Sequence, residues 1–322
     1  MALKNKVLAV LEENKGKSVS GNDIAESVGM TRSAVWKAVK QLRSEGYTIL
    51  AATNKGYCLT EDNDFLSEQS VFQHLTTREI GRKIDVFKTI DSTNNFAKSL
   101  AQLNAEHGKT VISEVQTQGK GRMGRSFHSP VGLGIYMSVI LRPKLSVEHS
   151  LLITSCAAVA VAEAIEKLTG LDCKIKWVND IYVGNKKLCG ILTEAAVNVE
   201  QGGLDYAVVG VGLNVHNTNF PKAISDIATS LYMETGEKFS KSLLAAEILN
   251  SLEVHLDKIR DKSFIEEYRN RSNIIGKRIE ITHNDEVTQA ECIGIDEICR
   301  LLVRYDNGEE KALMSGTIRI VE

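Results

Sequence analysis

The sequence predicts an α+β chain of several domains: a winged helix-turn-helix in front, a mixed α/β body, and a small β-barrel at the end. Three observations carry this. The opening residues hold three amphipathic helical stretches followed by two short alternating ones. The middle interleaves apolar strand-like runs with capped helical patterns. From about Ile274 the pattern changes to short alternating strands with a hairpin signal. At 322 residues the chain has room for roughly two or three domains, placed here at 1–62, 63–273 and 274–322.

In the front module Leu3, Val7, Leu8, Val10 and Leu11 recur at helical spacing. Ser20 with Asp23 is a capping signature opening a second helix through Val28, and Gly29 ends it. Thr31 caps a third, with Ala34, Val35, Ala38, Val39 and Leu42 as its buried stripe and Gly46 as its stop. The tight glycine-containing turn between these two helices gives a helix-turn-helix, and strands around Asn54-Lys55-Gly56 add a wing. Arg32, Ser33, Lys37, Lys40 and Arg43 share the exposed face of the third helix, with Lys55 at the wing tip. Such residues suit phosphate contacts, and Thr31, Arg32, Ser33 and Trp36 would face base edges in a major groove. A module of this size reads DNA as half of a dimer, so the rest of the chain should supply the pairing surface.

Whole-chain composition excludes several classes. Basic and acidic residues nearly balance (39 against 41), so nucleic-acid binding must come from a local patch. The six cysteines show no CxxC and no paired histidine spacing, which argues against a zinc site or a disulfide framework and suits a reducing cytoplasm. The charged start is neither signal peptide nor span, and no long apolar run occurs, so a cytoplasmic protein without membrane contact is expected.

Residues 63–82 read as a helical, polar junction. KIDVFKTI then alternates as a strand, and Asp91-Ser92-Thr93-Asn94 caps the helix that follows. GKTVISEVQTQ is a further strand running up to Gly119. There GKGRMGR matches the dinucleotide fingerprint G-x-G-x-x-G and, with Arg125 in the lysine position, resembles a P-loop. Both motifs need a helix to begin inside the glycine run, so that its N-terminus holds the phosphate. Here SFHSPVGLG follows, and then the strand IYMSVIL. What remains is a basic loop between strands, with Lys120, Arg122 and Arg125 placed to fold over an anion.

Downstream, CKIKWV reads as a buried strand ending at Asn179-Asp180, and Gly184-Asn185 turns the chain into KLCGILTE. Strict alternation would put Lys187, Cys189 and Ile191 on one face and Leu188, Gly190 and Leu192 on the other. LDYAVVGVGLNV reads as a pair of strands ending in Asn214. SKSLLAAEILNSLEVHLDKIR is an amphipathic helix expected on the sheet. The closing strands are KRIEIT, QAECIGI, LLVRYDN and KALMSGTIRIV, with Asp306-Asn307-Gly308 as a hairpin turn.

Taken together, DSTN, GKGRMGR after VQTQ, KWVND, KKLCGILTE and GVGLNV resemble, in order and spacing, the bacterial biotin protein ligases. The winged front resembles the bifunctional form that doubles as the biotin operon repressor. The likeness covers almost the whole chain and implies a class II synthetase-like central sheet and an SH3-like C-terminal barrel. It implies that ATP, with Mg²⁺, and biotin give biotinyl-5′-adenylate, and that a lysine of a biotin carboxyl carrier protein then takes the acyl group. Biotin contacts fall on Ser92, Thr93, Asn94, Gln116, Lys120, Gly121 and Arg122. The central lysine falls on Lys187, a catalytic pair with Arg122, and no resident metal site is implied. Arg125 and Phe127 are expected on the nucleotide, Asn179, Asp180 and Asn214 on the nucleotide or its metal ion, and AISDIATSL resembles the segment that covers the nucleotide. Thr31, Arg32, Ser33, Trp36, Lys37, Lys40 and Lys55 fall to operator DNA, read by a homodimer formed when biotinyl-5′-AMP is bound. The chain departs from the pattern at Lys120, Val178 and Phe127, where arginine, proline and tryptophan are common. A lipoate-type acyl ligase, an enzyme whose winged helix is an interaction module, and a ligand-sensing repressor without turnover are the competing readings.

Overall fold

The computed structural model describes residues 3–44, 46–52, 55–60, 65–198, 200, 202–283 and 286–321. They form two compact units, residues 1–75 with 240–246 and residues 76–239 with 247–322. Asn54 of the predicted wing turn and the predicted boundary at 62–63 lie outside the described residues.

In the first unit α1 (Leu3–Glu13), α2 (Gly21–Val28) and α3 (Arg32–Ser44) follow the predicted stripes. Ser20 accepts the Asp23 N–H, and Gly29 closes α2 in the left-handed conformation. Val7, Leu8, Ile24, Val35 and Leu42 are at most 2% exposed and form the core between the three helices. Each such side chain contributes about 1.5–3 kcal/mol on leaving water. The wing is the antiparallel pair β1 (Ile49–Ala52) and β2 (Gly56–Leu59). Tyr57 also bridges to Val19, so the hairpin is held along its second edge. Arg43, exposed with the other basic residues of α3 as predicted, also donates from Nε and Nη2 to the Ile49 carbonyl at 2.8 and 2.5 Å, which ties α3 to the wing. The expected junction helix is short. Only α4 (Glu68–Phe72) is helical, and its Gln69, Ser70 and Val71 are buried rather than solvated.

The second unit continues with β3 (Ile84–Phe87), α5 (Thr93–Gln102), β4 (Thr110–Ser113), β5 (Gly134–Leu141), α6 (Ser150–Thr169), β6 (Cys173–Lys176) and β7 (Asp180–Val183). Then come β8 (Lys186–Asn198), β9 (Gly203–Asn214), α7 (Leu231–Thr235), α8 (Lys241–Asp257) and α9 (Phe264–Asn270). The chain ends in β10 (Arg278–His283), β11 (Glu286–Ile295), β12 (Leu301–Arg304), β13 (Glu310–Leu313) and β14 (Thr317–Ile320). Residues 76–80, expected to be helical, are irregular: the N–H groups of Arg78, Glu79 and Ile80 bond the Glu253 carboxylate of α8 instead of helical carbonyls.

A seven-stranded sheet in the order β3-β4-β5-β9-β8-β7-β6 forms the body. It is antiparallel except for the β3–β4 pair. Two expectations are corrected here. The strand predicted up to Gly119 is regular only to Ser113; beyond it the pairing is reduced to an isolated parallel bridge between Gln116 and Ile90, with Thr117 and Gln118 donating to the Ile90 and Asp91 carbonyls. LDYAVVGVGLNV is one long strand, β9, and not two. α6 and α9 had no counterpart in the sequence reading. α6 packs against β6, β8 and β9 and is buried along almost its whole length, with little polar face to mark its period. Ser251 and His255 of α8 bond Glu163 of α6, at 3.2 and 2.6 Å.

The last five strands form a meander whose final strand returns beside its first, in the order β13-β12-β11-β10-β14. KALMSGTIRIV, read as one strand, is two, broken at Gly316 with φ +149°. Among the described residues no helix is long and apolar enough to cross a membrane.

Candidate active site

The floor of the site is one face of the large sheet, and strand register decides which side chains stand on it. Partners across a ladder share a face. Ser138 of β5 pairs Gly210 of β9, which pairs Leu192 of β8; Tyr136 pairs Gly212, which pairs Gly190. Gly190 in turn pairs Asp180 of β7, and Asp180 pairs Lys176 of β6.

Lys187 joins this face only through an irregularity. Ile181 pairs Cys189, but Tyr182 pairs Lys187, so Leu188 is an extra residue, a β-bulge. Strict alternation had placed Lys187 with Cys189 and Ile191. The bulge reverses that, and a Cβ on Gly190 would lie 3.2 Å from both Cε and Nζ of Lys187. The ammonium therefore stands over the glycine and 2.8 Å from Asp180 Oδ1.

The glycines of β9 clear the rest of the floor. A Cβ on Gly210 would fall 2.1 Å from Asn94 Oδ1, and one on Gly212 would fall 2.6 Å from the Phe127 ring. Asn94 and Thr93 enter from the N-terminal turn of α5, whose cap is Ser92. Thr93 donates from N–H and hydroxyl to Gln116 Oε1 at 2.9 and 3.1 Å, and Gln116 Nε2 donates to Ser129 Oγ at 3.0 Å. The Ser138 hydroxyl lies 2.8 Å from Thr93 Oγ1 and 2.7 Å from Asn94 Oδ1. This buried polar corner offers neutral donors and acceptors but no charge, the environment that suits an amide-like ring.

The opposite end is cationic. Arg122 Nη1 donates to Asn179 Oδ1 at 3.1 Å, and Asn179 is itself fixed by Nδ2 to the Ile191 carbonyl at 2.6 Å. Burial lowers the Arg122 pKa from its usual value, with Asp180 opposing. Burial likewise lowers Lys176; Asp180 opposes that, while Lys187, Arg125 and Arg319 lower it further. Lys120, Arg122, Arg125, Lys176, Lys187 and Arg319 line one cavity of about 460 Å³ against a single acid, Asp180. Cations so crowded favour an anionic ligand that relieves their mutual repulsion.

Every residue predicted for biotin or nucleotide lines this cavity: Ser92, Thr93, Asn94, Gln116, Lys120, Gly121, Arg122 and Lys187, with Arg125, Phe127, Asn179, Asp180 and Asn214. Ile224, Ile227 and Ala228 of the predicted covering segment line it too, and the backbone of Lys187 pairs with Ala228. Sequence reasoning missed Ser138, Lys176 and the C-terminal edge strand. Lys176 was signalled by its alternation with Cys173 and Ile175. Thr317 and Arg319 of β14 were not signalled, because only the fold brings them there. Arg125 Nη2 donates to Thr317 Oγ1 at 3.2 Å, so the glycine loop rests on the C-terminal sheet. The loop expected to hold no helix has a tight turn at Arg122–Gly124, with Met123 and Gly124 in the left-handed region at φ +53° and +74°.

For a divalent cation the fit is limited. Among the described residues no cluster of three or more His, Cys, Asp or Glu could hold a metal. Asp180 Oδ1 is buried and, its ion pair apart, without a hydrogen bond, which fits one carboxylate of a cation that arrives on a polyphosphate.

In the other unit Thr31, Arg32, Ser33, Trp36, Lys37, Lys40 and Lys55 are all exposed. Thr31 Oγ1 accepts the Ala34 N–H as the helix cap and lies 3.0 Å from Ser33 Oγ. Trp36 is 53% exposed, with Lys40 Nζ 5.4 Å from its ring centre. A large aromatic surrounded by cations on a helix face is what a nucleic-acid surface provides.

Family models match along the chain: an HTH domain over residues 4–58, the biotin/lipoate A/B protein ligase family over 86–214, and the biotin protein ligase C terminal domain over 274–320. The chain is similar to the bifunctional ligase/repressor BirA of Bacillus spizizenii, 38% identical over 77% of this chain and 76% of that one. It is also similar to the bifunctional ligase/repressor BirA of Escherichia coli, 27% identical over 98% of this chain and 96% of that one. Among solved structures, the biotin protein ligase from Aquifex aeolicus in complex with biotin and ATP superposes with TM-score 0.64 at 26% identity, over 74% of this chain and 99% of that one. With a relative this similar over three quarters of both chains, and with the cavity built from the motifs in question, the chain belongs to the bifunctional ligase/repressor family of biotin protein ligases.

Proposed function

We propose that this chain activates biotin with ATP, passes it to a carrier protein, and represses transcription through its winged helix. The observation that carries the first activity is the cavity itself, polar and neutral at one end and cationic at the other. Biotin places its ureido ring among Thr93, Asn94 and Gln116 and its carboxylate near Lys187 and Arg122. A carboxylate oxygen attacks the α-phosphorus of ATP, the bond to the β-phosphate oxygen breaks, and pyrophosphate leaves with the electron pair. Two anions 4 Å apart repel by about 1 kcal/mol in water and about 4 kcal/mol at an effective dielectric of 20. Lys187 and Arg122 remove this repulsion and stabilise charge growing on the phosphoryl oxygens. Asp180 is the carboxylate that would stand beside an Mg²⁺ ion brought by ATP, and the ion would offset charge on the phosphates.

In the second step a lysine amine of a biotin carboxyl carrier domain attacks the acyl carbon and AMP leaves. The enzyme forms no covalent intermediate, because biotin supplies its own nucleophile; Lys187 acts as a cation and not as an amine. The glycine loop, with Phe127 packed over Gly212, shields the anhydride from water in between. A lipoate ligase would need the same cations, since lipoate also ends in a carboxylate, but it has no ureido group for the Thr93–Asn94–Gln116 corner. Incubation with ATP, Mg²⁺ and either acid, followed by mass spectrometry, is expected to show biotinyl-adenylate and little lipoyl-adenylate. Lipoyl-adenylate as the main product would overturn the assignment.

Repression follows if the adenylate orders the loop and a second copy then pairs with the first, setting two winged helices at half-site spacing. Duplexes selected from a random pool are expected to be enriched in a two-fold symmetric site only with biotinyl-adenylate present. Equal enrichment by the ligand-free protein would remove the coupling.

A further inference from the structure

We propose that Glu194, with Lys98, is a positioning residue that sets the orientation of the Asn94 amide and thereby the acceptor offered to the ureido ring. This rests on the biotin assignment above and goes beyond it, since neither residue lines the cavity.

A side-chain amide has two orientations of similar shape, and its hydrogen-bond partners choose between them. Asn94 is 4% exposed, so the choice is made inside the protein. Its Nδ2 donates to Glu194 Oε2 at 3.0 Å and to the Leu192 carbonyl at 3.2 Å. Both partners only accept, so Oδ1 must turn the other way, toward the Ser138 hydroxyl and the space left by Gly210. The acceptor thus faces the cavity.

The second oxygen of the same carboxylate explains why the lock is firm. Lys98 Nζ lies 2.6 Å from Glu194 Oε1. Asn94 and Lys98 are one turn apart on α5, so two side chains of one helix face hold one carboxylate of β8. That fixes both the amide and the helix turn carrying Thr93. The bonds from Lys98 and Asn94 outweigh desolvation and hold the Glu194 carboxyl below its usual range, so it stays an acceptor through the neutral range.

Glu194→Gln separates this role from a packing role. Lys98 attracts the new amide oxygen, which turns the new NH₂ toward Asn94 Nδ2. Two donors then meet, and Asn94 flips. Loss of one charge-assisted hydrogen bond is expected to raise the KM for biotin about tenfold. The KM for ATP should stay within about twofold. In Lys98→Met/Glu194→Gln no cation holds the glutamine oxygen, so it can accept from Asn94, and the biotin KM should return most of the way. Lys98→Met alone keeps the carboxylate–amide bond but frees the other carboxylate oxygen, and should raise it by less than Glu194→Gln does. Thermal melts of the three variants report any loss of fold. An unchanged biotin KM in Glu194→Gln, a parallel rise in both KM values, or no recovery in the double variant would each overturn the proposal. Absence of biotinyl-adenylate with the unaltered protein is the separate failure of the ligase assignment and is read first in the same assay.

Discussion

Lys187→Ala is expected to slow biotinyl-adenylate formation by about 10²–10³-fold, the usual cost of removing one preorganised charge from a developing anion. The loss should appear in the rate of the chemical step and less in biotin binding, because the ureido ring is held at the other end of the cavity. The variant also leaves the Asp180 carboxylate without its ion-pair partner 2.8 Å away. Asp180→Asn is made as the reference for this, because that carboxylate also serves the Mg²⁺-ATP side: if the missing cation is the cause, Lys187→Ala/Asp180→Asn stays slower than Asp180→Asn by a similar factor, whereas an unpaired carboxylate as the cause would make the two equal. Single-turnover mass spectrometry of the adenylate reads both. A rate within threefold of the unaltered protein in Lys187→Ala would remove Lys187 from the chemistry.

Gly210→Ala is the second large effect, and it acts through one methyl group. That carbon would lie 2.1 Å from Asn94 Oδ1 and 2.9 Å from its Cγ. Neither strand nor amide can yield by so much without breaking the bonds to Glu194 and Leu192, and overpacking of a fitted interior costs about 1–3 kcal/mol. Biotin affinity measured by calorimetry is expected to fall by more than about tenfold, with the melting temperature lowered by several degrees. Adding Asn94→Ser shortens the opposing side chain. It should restore melting but not biotin affinity, because the acceptor is then gone. Full affinity in Gly210→Ala would show that the amide is not where the ligand binds.

Much of this was visible in the residues. The front module declared itself because capping residues and glycine stops bracket helices with clear apolar stripes, as at Ser20, Gly29 and Thr31. GKGRMGR could be assigned to a loop because a proline and two glycines stand where a nucleotide motif needs a helix. The residues proposed for the site line one cavity because DSTN, VQTQ and the loop lie on neighbouring elements. What stayed hidden depends on distance in sequence or on symmetry of pattern. α6 offers apolar residues on almost every side, so periodicity has little to detect. Arg43 looks like its basic neighbours until the Ile49 carbonyl is seen beside it. Ser138, Glu194 and Thr317 act on partners far along the chain, which no local window contains.

The side on which Lys187 stands is set by a count, not by its neighbours' chemistry. With Leu188 as the odd member between Cys189 and Lys187, the stretch Lys186–Gly190 reads even on one flank and odd on the other. Substitutions there can be absorbed one at a time. Removing Leu188 alone would restore regular pleating and still leave the ammonium opposite Tyr182, on the cavity side; regular pairing with Leu188 kept in the ladder would send it to the far side of the sheet. What holds the lysine on the ligand side is thus that one surplus residue is kept out of the ladder, whether by bulging or by absence.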